Sequence, residues 1–204
     1  MWLASITSMN KQTDSFYNRF SFFYPVVDVL LKPQKKALFK EVNRLDEGKL
    51  LEIGVGNGTH FKYYEKHKIT AIDTSEGMLA IARKNSSENI EVLKMNGEAL
   101  LFDNETFDYI VLSHVIAVVA NPEQLLSEVA RVLKPEGKVL ILNHFTPNNW
   151  LGNIDRLFGL VSKLFHFKSV FYIKDLKNID NFKLVKQVDF GFGGYFKLLI
   201  YQKK

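Results

Sequence analysis

The chain has 204 residues, enough for one domain with a substantial core and too few for two full ones. Hydrophobic residues make up 47% and charged residues 24%, ordinary for a globular protein, and the absence of cysteine excludes disulfides, thiolate zinc sites and a cysteine nucleophile while fitting a reducing compartment. The net charge of +5 is mild and suits anionic surfaces such as inner-leaflet lipids or nucleic acid. The N-terminal Met-Trp-Leu-Ala-Ser-Ile-Thr-Ser has no basic n-region and no sustained apolar h-region, so no signal peptide is expected. No run is long and apolar enough to span a bilayer. The five histidines are scattered without metal-ligand spacing, so no metal is expected.

Residues 1–12 read as a loose arm. Thr13 to Leu31 is dense in aromatics, with Phe16, Phe20, Phe23, Val27 and Leu30 at helical spacing and Pro25 expected to break the segment into two short helices. Phe22, Val26 and Val29 widen the apolar stripe beyond one buried face. That suits a helix packed on the domain and also a lid over a ligand that touches an apolar substrate or a membrane surface. Lys32 to Asp46 reads as an amphipathic helix with Ala37, Leu38, Val42 and Leu45 inward and Lys35, Lys36, Lys40 and Glu41 outward. Leu50, Leu51 and Ile53 form a short buried strand, followed by a glycine turn and an expected helix through Lys66. Ile69 to Asp73 is a second strand. Ser75 is an N-cap for a helix carrying Met78, Leu79, Ile81 and Ala82. Ile90 to Lys94 is a third strand, Phe107 to Ser113 a fourth, and Asn121-Pro122-Glu123 starts a helix with proline at its first position. Lys134 to Lys138 reads as a turn and Val139 to Leu142 as a fifth strand. From Asn143 to Tyr172 the pattern changes, and Trp150, Ile154, Leu157, Phe158, Val161, Leu164 and Phe165 take helical spacing. Lys183 to Phe190 and Tyr195 to Gln202 are two late strands joined by Gly191-Phe192-Gly193-Gly194, an antiparallel pair. Alternating strands and helices predict an α/β fold, a doubly wound and mostly parallel sheet. No repeat or linker divides the chain, so 1–204 is one domain: a helical lid over 1–46, a core over 49–142, and a substrate-side helix with the hairpin over 143–204.

The chemistry concentrates in Lys49 to Thr59, with Asp73 behind it. A strand emptying into Gly54-x-Gly56-x-Gly58 brings bare backbone N–H groups next to a ligand. Asp73, at the tip of the second strand, can accept two hydrogen bonds from a ribose diol. Dinucleotide turns read G-x-G-x-x-G, but here Thr59 holds the place of their last glycine. Glu52, just before the turn, repels a pyrophosphate and suits an ammonium group.

Glu52, the G-x-G-x-G spacing and Asp73 together resemble the first motifs of class I S-adenosylmethionine-dependent methyltransferases. The resemblance covers about Lys49 to Leu142. It implies a seven-stranded Rossmann-like methyltransferase fold, S-adenosylmethionine as cofactor, and cofactor contacts at Glu52, Gly54, Gly56, Gly58, Asp73, Thr74 and Met78. It extends these to Asn96, Gly97 and Glu98 after the third strand, and to Ser113 and His114 at the tip of the fourth. Asn96 stands where the family commonly has an acid that binds the adenine amino group, and its carbonyl oxygen can accept the same hydrogen bond. Val115-Ile116-Ala117-Val118-Val119-Ala120-Asn121-Pro122-Glu123, Leu142-Asn143-His144-Phe145 and Tyr17-Asn18-Arg19-Phe20 with Tyr24 look like bacterial phospholipid N-methyltransferases, which convert phosphatidylethanolamine stepwise to phosphatidylcholine. This implies a phospholipid acceptor, with His144, Tyr17 and Tyr24 as the groups that accept its proton or hold its ammonium. Other readings are another small apolar acceptor, such as a quinone precursor or a fatty acid, and a non-catalytic lipid-binding protein. Nucleic acid is not an expected partner, because Asn/Asp-Pro-Pro-Tyr and Pro-Cys motifs are absent. The expected location is cytoplasmic, peripheral at the inner membrane face.

Overall fold

The computed structural model describes residues 24–144, 176–191 and 196–204, with side chains described from residue 33 onward except that of His144. The aromatic arm with Tyr17, the stretch from Trp150 to Phe165 and most of the Gly191–Gly194 connection lie outside the described residues.

The first described element, α1, is a single helix over Tyr24–Val42. Pro25 stands in its first turn, where a proline lacks only an N–H that would have no intrahelical partner; the residues before Tyr24, and with them the expected division of Thr13 to Leu31 at Pro25, lie outside the described residues. Pro33 lies inside the helix. Leu38, Phe39 and Val42 are the buried face of α1, while Ala37 and Leu45 are only half-buried.

β1 (Lys49–Ile53), β2 (Lys68–Asp73), β3 (Ile90–Lys94), β4 (Phe107–Ser113) and β5 (Leu133–His144) form the parallel part of one sheet. β6 (Phe182–Phe190) and β7 (Phe196–Lys203) complete seven strands in the order β3-β2-β1-β4-β5-β7-β6. β7 runs antiparallel to β6, as the hairpin reading predicted, and also to β5. Two helices complete the described frame, α2 over Glu76–Asn85 and α3 over Pro122–Val132. Their starts follow side-chain chemistry: the Ser75 hydroxyl accepts from Met78 N–H at 3.4 Å, and Asn121 Oδ1 accepts from Gln124 N–H at 3.1 Å.

The strands read as continuous apolar runs because both sheet faces are covered. Leu50, Ala71, Val111 and Leu140 pack against α1 and α2 through Leu38, Phe39, Val42, Leu79 and Ala82. Leu51, Ile53, Ile110 and Ile141 pack on the other face against Leu125, Leu126, Val129 and Val132 of α3. Leu79 and Ala82 are the buried face of α2, while Ile81 is exposed.

Two local differences matter. The predicted turn at Lys134 to Lys138 lies inside β5: Leu133 pairs with Phe107, pairing resumes at Lys138 with Tyr109, and Glu136 between them has φ of 62°. The segment thus bulges out of the ladder without ending it. The predicted helix through Lys66 is absent, and only a 3₁₀ turn at Phe61–Tyr63 links β1 to β2. Phe61 and Tyr64 have the i,i+3 spacing of a helix face, but both side chains are already buried by that one turn.

Candidate active site

The strand order reverses between β1 and β4, and ligands of doubly wound sheets bind outside the carboxyl ends of the strands at such a point. The glycine turn leaves β1 there. Gly54 N–H and Val55 N–H both donate to Ile72 O, at 2.8 and 3.1 Å, which fastens the turn to the end of β2. Gly54, Gly56 and Gly58 have φ of 76°, 59° and 66°. At Gly54 the requirement is steric as well, since an added Cβ would lie 2.2 Å from Val115 Cγ2. At Gly56 an added Cβ would meet nothing within 4 Å, so the backbone there borders open space.

Asp73 ends β2 beside that turn. Its Oδ2 accepts from Gly56 N–H at 2.8 Å and its Oδ1 from Ser75 N–H at 2.9 Å. A carboxylate has about four acceptor positions, so Asp73 secures the turn and still has lone pairs for a diol. Thr74 is exposed beside it, and Met78 is half-buried on the first turn of α2. Past the end of β3, Asn96 Oδ1 accepts from Glu98 N–H at 3.0 Å. The oxygen expected to meet adenine therefore already has one partner and retains one lone pair. Gly97 is buried against Ile53. Glu98 Oε1 accepts from Asn121 N–H at 2.6 Å, so this carboxylate anchors the start of α3 to the β3–β4 loop.

On the other side of the switch point, Ser113 ends β4 half-buried, opposite Leu142 of β5. His114 has φ of 60°, uncommon for a residue with a side chain, and its N–H donates to Leu142 O at 2.7 Å. Its ring meets Phe196 edge to face at 6.0 Å between centroids. His144 ends β5 and pairs with Phe196 of β7. The backbones of His114 and His144 thus reach the same edge of the sheet as the glycine turn. Tyr24 is the first residue of α1, while Tyr17 lies outside the described residues.

Glu52 lies within β1, separated from the turn by Ile53. It lies on the face of β1 that meets α1 and is 2% exposed. Tyr64 OH donates to its Oε2 at 2.9 Å, and His60 Nε2 lies 2.9 Å from Oε1 and 3.0 Å from Oε2. Burial, then the nearby Glu52 charge, hold the Tyr64 hydroxyl well above its ordinary pKa, so it remains a donor. Phe39 of α1 closes the cluster, stacking on His60 at 5.6 Å and meeting Tyr64 edge to face at 5.0 Å. His60, Tyr64 and Phe39 were not among the residues the motif pointed to. The signal for them was Glu52 itself, because a carboxylate in a buried strand requires hydrogen-bonding partners close at hand. No group of three or more His, Asp or Glu side chains suited to a metal ion occurs among the described residues.

A glycine turn at the switch point, a carboxylate with spare acceptor positions on the next strand and an antiparallel end to the sheet define a nucleoside-cofactor enzyme of the methyltransferase fold. Residues 51–141 match the family described as Methyltransferase domain. A phosphatidylethanolamine N-methyltransferase of Cereibacter sphaeroides is 33% identical over 164 residues, covering 77% of this chain and 81% of that protein. A demethylmenaquinone methyltransferase of Clavibacter sepedonicus is 26% identical over 156 residues, covering 72% of this chain and 64% of its own. A crystal structure of an S-adenosylmethionine-dependent methyltransferase from Thermotoga maritima superposes with a TM-score of 0.70 at 26% identity, over 93% of this chain and 99% of that one. The chain belongs to the S-adenosylmethionine-dependent methyltransferases and is an enzyme of that class. The residues present fit that cofactor: the backbone at Gly56 borders open space, Asp73 keeps acceptor capacity, and the buried Glu52 gives the turn a negative setting that suits a sulfonium and disfavours a pyrophosphate.

Proposed function

We propose that the enzyme N-methylates the ethanolamine headgroup of phosphatidylethanolamine and its methylated intermediates. The observation that carries this reading is the 33% identity to a phosphatidylethanolamine N-methyltransferase across 81% of that protein. When bound, S-adenosylmethionine supplies an electrophilic methyl carbon. The turn at Gly54 to Gly58 and Asp73 hold it, and Asn96 meets its base. Aligning the acceptor nitrogen with that carbon supplies much of the rate. The headgroup arrives as an ammonium and must lose a proton before its lone pair can react. In this reading His144 accepts the proton, and Tyr17 and Tyr24 hold the methylated ammonium by cation–π attraction. The acceptor is reached from the inner membrane face, where the enzyme associates peripherally with anionic lipid. No helix among the described residues is long and apolar enough to cross a membrane.

A second reading, methylation of a quinone precursor, is favoured by the similarity to the Clavibacter enzyme. The test incubates the protein with labelled S-adenosylmethionine and, separately, with phosphatidylethanolamine, its monomethyl form and a demethylated quinone. Label in the two lipids is the expected result. Label in the quinone alone selects the second reading, and no label in either lipid overturns the first. His144→Gln should lose roughly 10²-fold in turnover with cofactor affinity unchanged. Near-full activity would remove His144 from the mechanism.

A further inference from the structure

The short β1–β2 connection leaves a space that the crevice chemistry does not use. Between the C-terminal half of α1 and the 59–65 segment opens a cleft of about 920 Å³. Lys35, Lys36, Lys40 and Arg44 line it from α1 and the residues that follow, and Lys62 lines it from the 3₁₀ turn. Glu65 is the one acid on its described lining. Arg44 is paired with Glu41 at 2.8 Å. Among the described residues no carboxylate lies within ion-pair distance of Lys36 or Lys40, both of which are exposed. The Lys62 ammonium lies 5.3 Å from the centre of the Tyr63 ring, and Tyr63 is 50% exposed. Phe39, 5% exposed, backs the Tyr63 ring at 5.4 Å between centroids.

We propose that this cleft, which Thr59 and His60 border just past the glycine turn, is a second ligand site and that it binds a phosphate ester. Lys36, Lys40 and Lys62, facing one acid across the cleft, create a positive potential that a concave wall strengthens. Lysine ammonium groups on two separate segments can each donate to a different phosphate oxygen. The exposed Tyr63 ring leaves room for a carbon chain attached to that phosphate, so a lipid headgroup and a soluble phosphate ester share the chemistry the cleft recognises. The site does not depend on the identity of the methyl acceptor.

The test is calorimetric titration of the full chain at low salt with glycerol 3-phosphate, and separately with dihexanoyl phosphatidic acid below its micellar concentration. Lys36→Gln/Lys40→Gln is compared with Lys66→Gln/Lys68→Gln, which removes the same charge from exposed positions outside the cleft lining. Wild type should bind at least one of the two probes, and raising the salt should weaken that binding. The cleft variant should bind about tenfold or more weakly, and the charge-matched variant should bind like wild type. Binding of both probes marks the phosphate as sufficient. Binding of the lipid alone marks the aromatic surface as necessary. S-adenosylhomocysteine should bind both variants as it binds wild type. No binding of either probe by wild type overturns the site, as does equal loss in both variants, since overall charge would then explain the effect.

Discussion

Gly54 and Gly56 stand two residues apart and serve different demands, and substitution separates them. At Gly54 a methyl group would run into Val115 at 2.2 Å, so Gly54→Ala damages the packing of the turn on β4's exit. At Gly56 a side chain enters open space, and only the φ of 59° resists it. Gly56→Val should therefore unfold cooperatively, with stability lowered by about 1–3 kcal/mol from left-handed strain, yet show no S-adenosylhomocysteine binding by calorimetry. Normal binding would mean that the cofactor approaches elsewhere. Asp73→Ala should weaken cofactor binding and also destabilise the protein by about 1–3 kcal/mol, because Gly56 N–H and Ser75 N–H lose their acceptor. Urea unfolding and calorimetry on the same sample read both effects. Tyr64→Phe should cost a similar amount in urea unfolding, roughly 1–3 kcal/mol, because the buried Glu52 carboxylate loses its hydroxyl donor. A variant as stable as wild type would show that Glu52 is adequately served by His60 alone. The glycines, Glu52 and Asp73 were legible in the sequence because their spacing is local. His60 and Tyr64 were not, because the face of β1 that carries Glu52 is decided by packing against α1.

At the level of elements, the strands and helix starts were legible for physical reasons. Five strands are apolar runs bounded by turn chemistry, and Ser75 and Asn121 announce α2 and α3 through their side-chain oxygens. The connection after β1 was misread because aromatic spacing resembles a helix face, while a single 3₁₀ turn suffices to bury Phe61 and Tyr64. The edge strand β6 departs from simple alternation as well: its pairing shifts between Leu184 and Lys186, leaving Val185 53% exposed. Such a bulge discourages edge-to-edge pairing with another chain. The β3–β4 loop is held by α3 through Glu128, which accepts from Leu100 N–H at 2.8 Å and from Arg131, whose guanidinium also donates to Phe102 O and Leu100 O. The hydrogen bond from Arg131 is the main cause holding the Glu128 carboxyl below its ordinary range. A carboxyl lowered in the folded state stabilises the protein above its unfolded pKa of about 4.3, and that contribution is lost as pH falls through the lower folded value. Glu128→Gln should thus be less stable than wild type at pH 7 by about 1–2 kcal/mol. The gap should close below about pH 4 as the wild-type carboxyl protonates. A gap that stays constant from pH 7 to pH 3 would refute the charged role.

On the scale of the whole molecule, the cofactor crevice joins the two halves of the sheet, since the turn leaves β1 and the facing residues leave β4 and β5 across the point where strand order reverses. The segments around the crevice pack on opposite sheet faces: Asp73 borders the start of α2, and Glu98 ties the Asn96 loop to α3. Opening either face therefore disrupts the site, and the unfolded chain has no comparable arrangement of N–H donors and carboxylates. A ligand that binds only the folded form stabilises it by mass action, by about 2.7 kcal/mol at one hundred times its dissociation constant. For a domain of this size each kcal/mol moves the melting temperature by about 2–4 °C. Saturating S-adenosylhomocysteine should thus raise the melting temperature by roughly 5–10 °C. NAD should give no shift, because Thr59 occupies the place of the third dinucleotide glycine and the buried Glu52 disfavours a pyrophosphate. Gly56→Val should abolish the S-adenosylhomocysteine shift. A shift with NAD comparable to that with S-adenosylhomocysteine would contradict the selectivity assigned to Glu52, and a shift preserved in Gly56→Val would contradict the placement of the ligand against the turn.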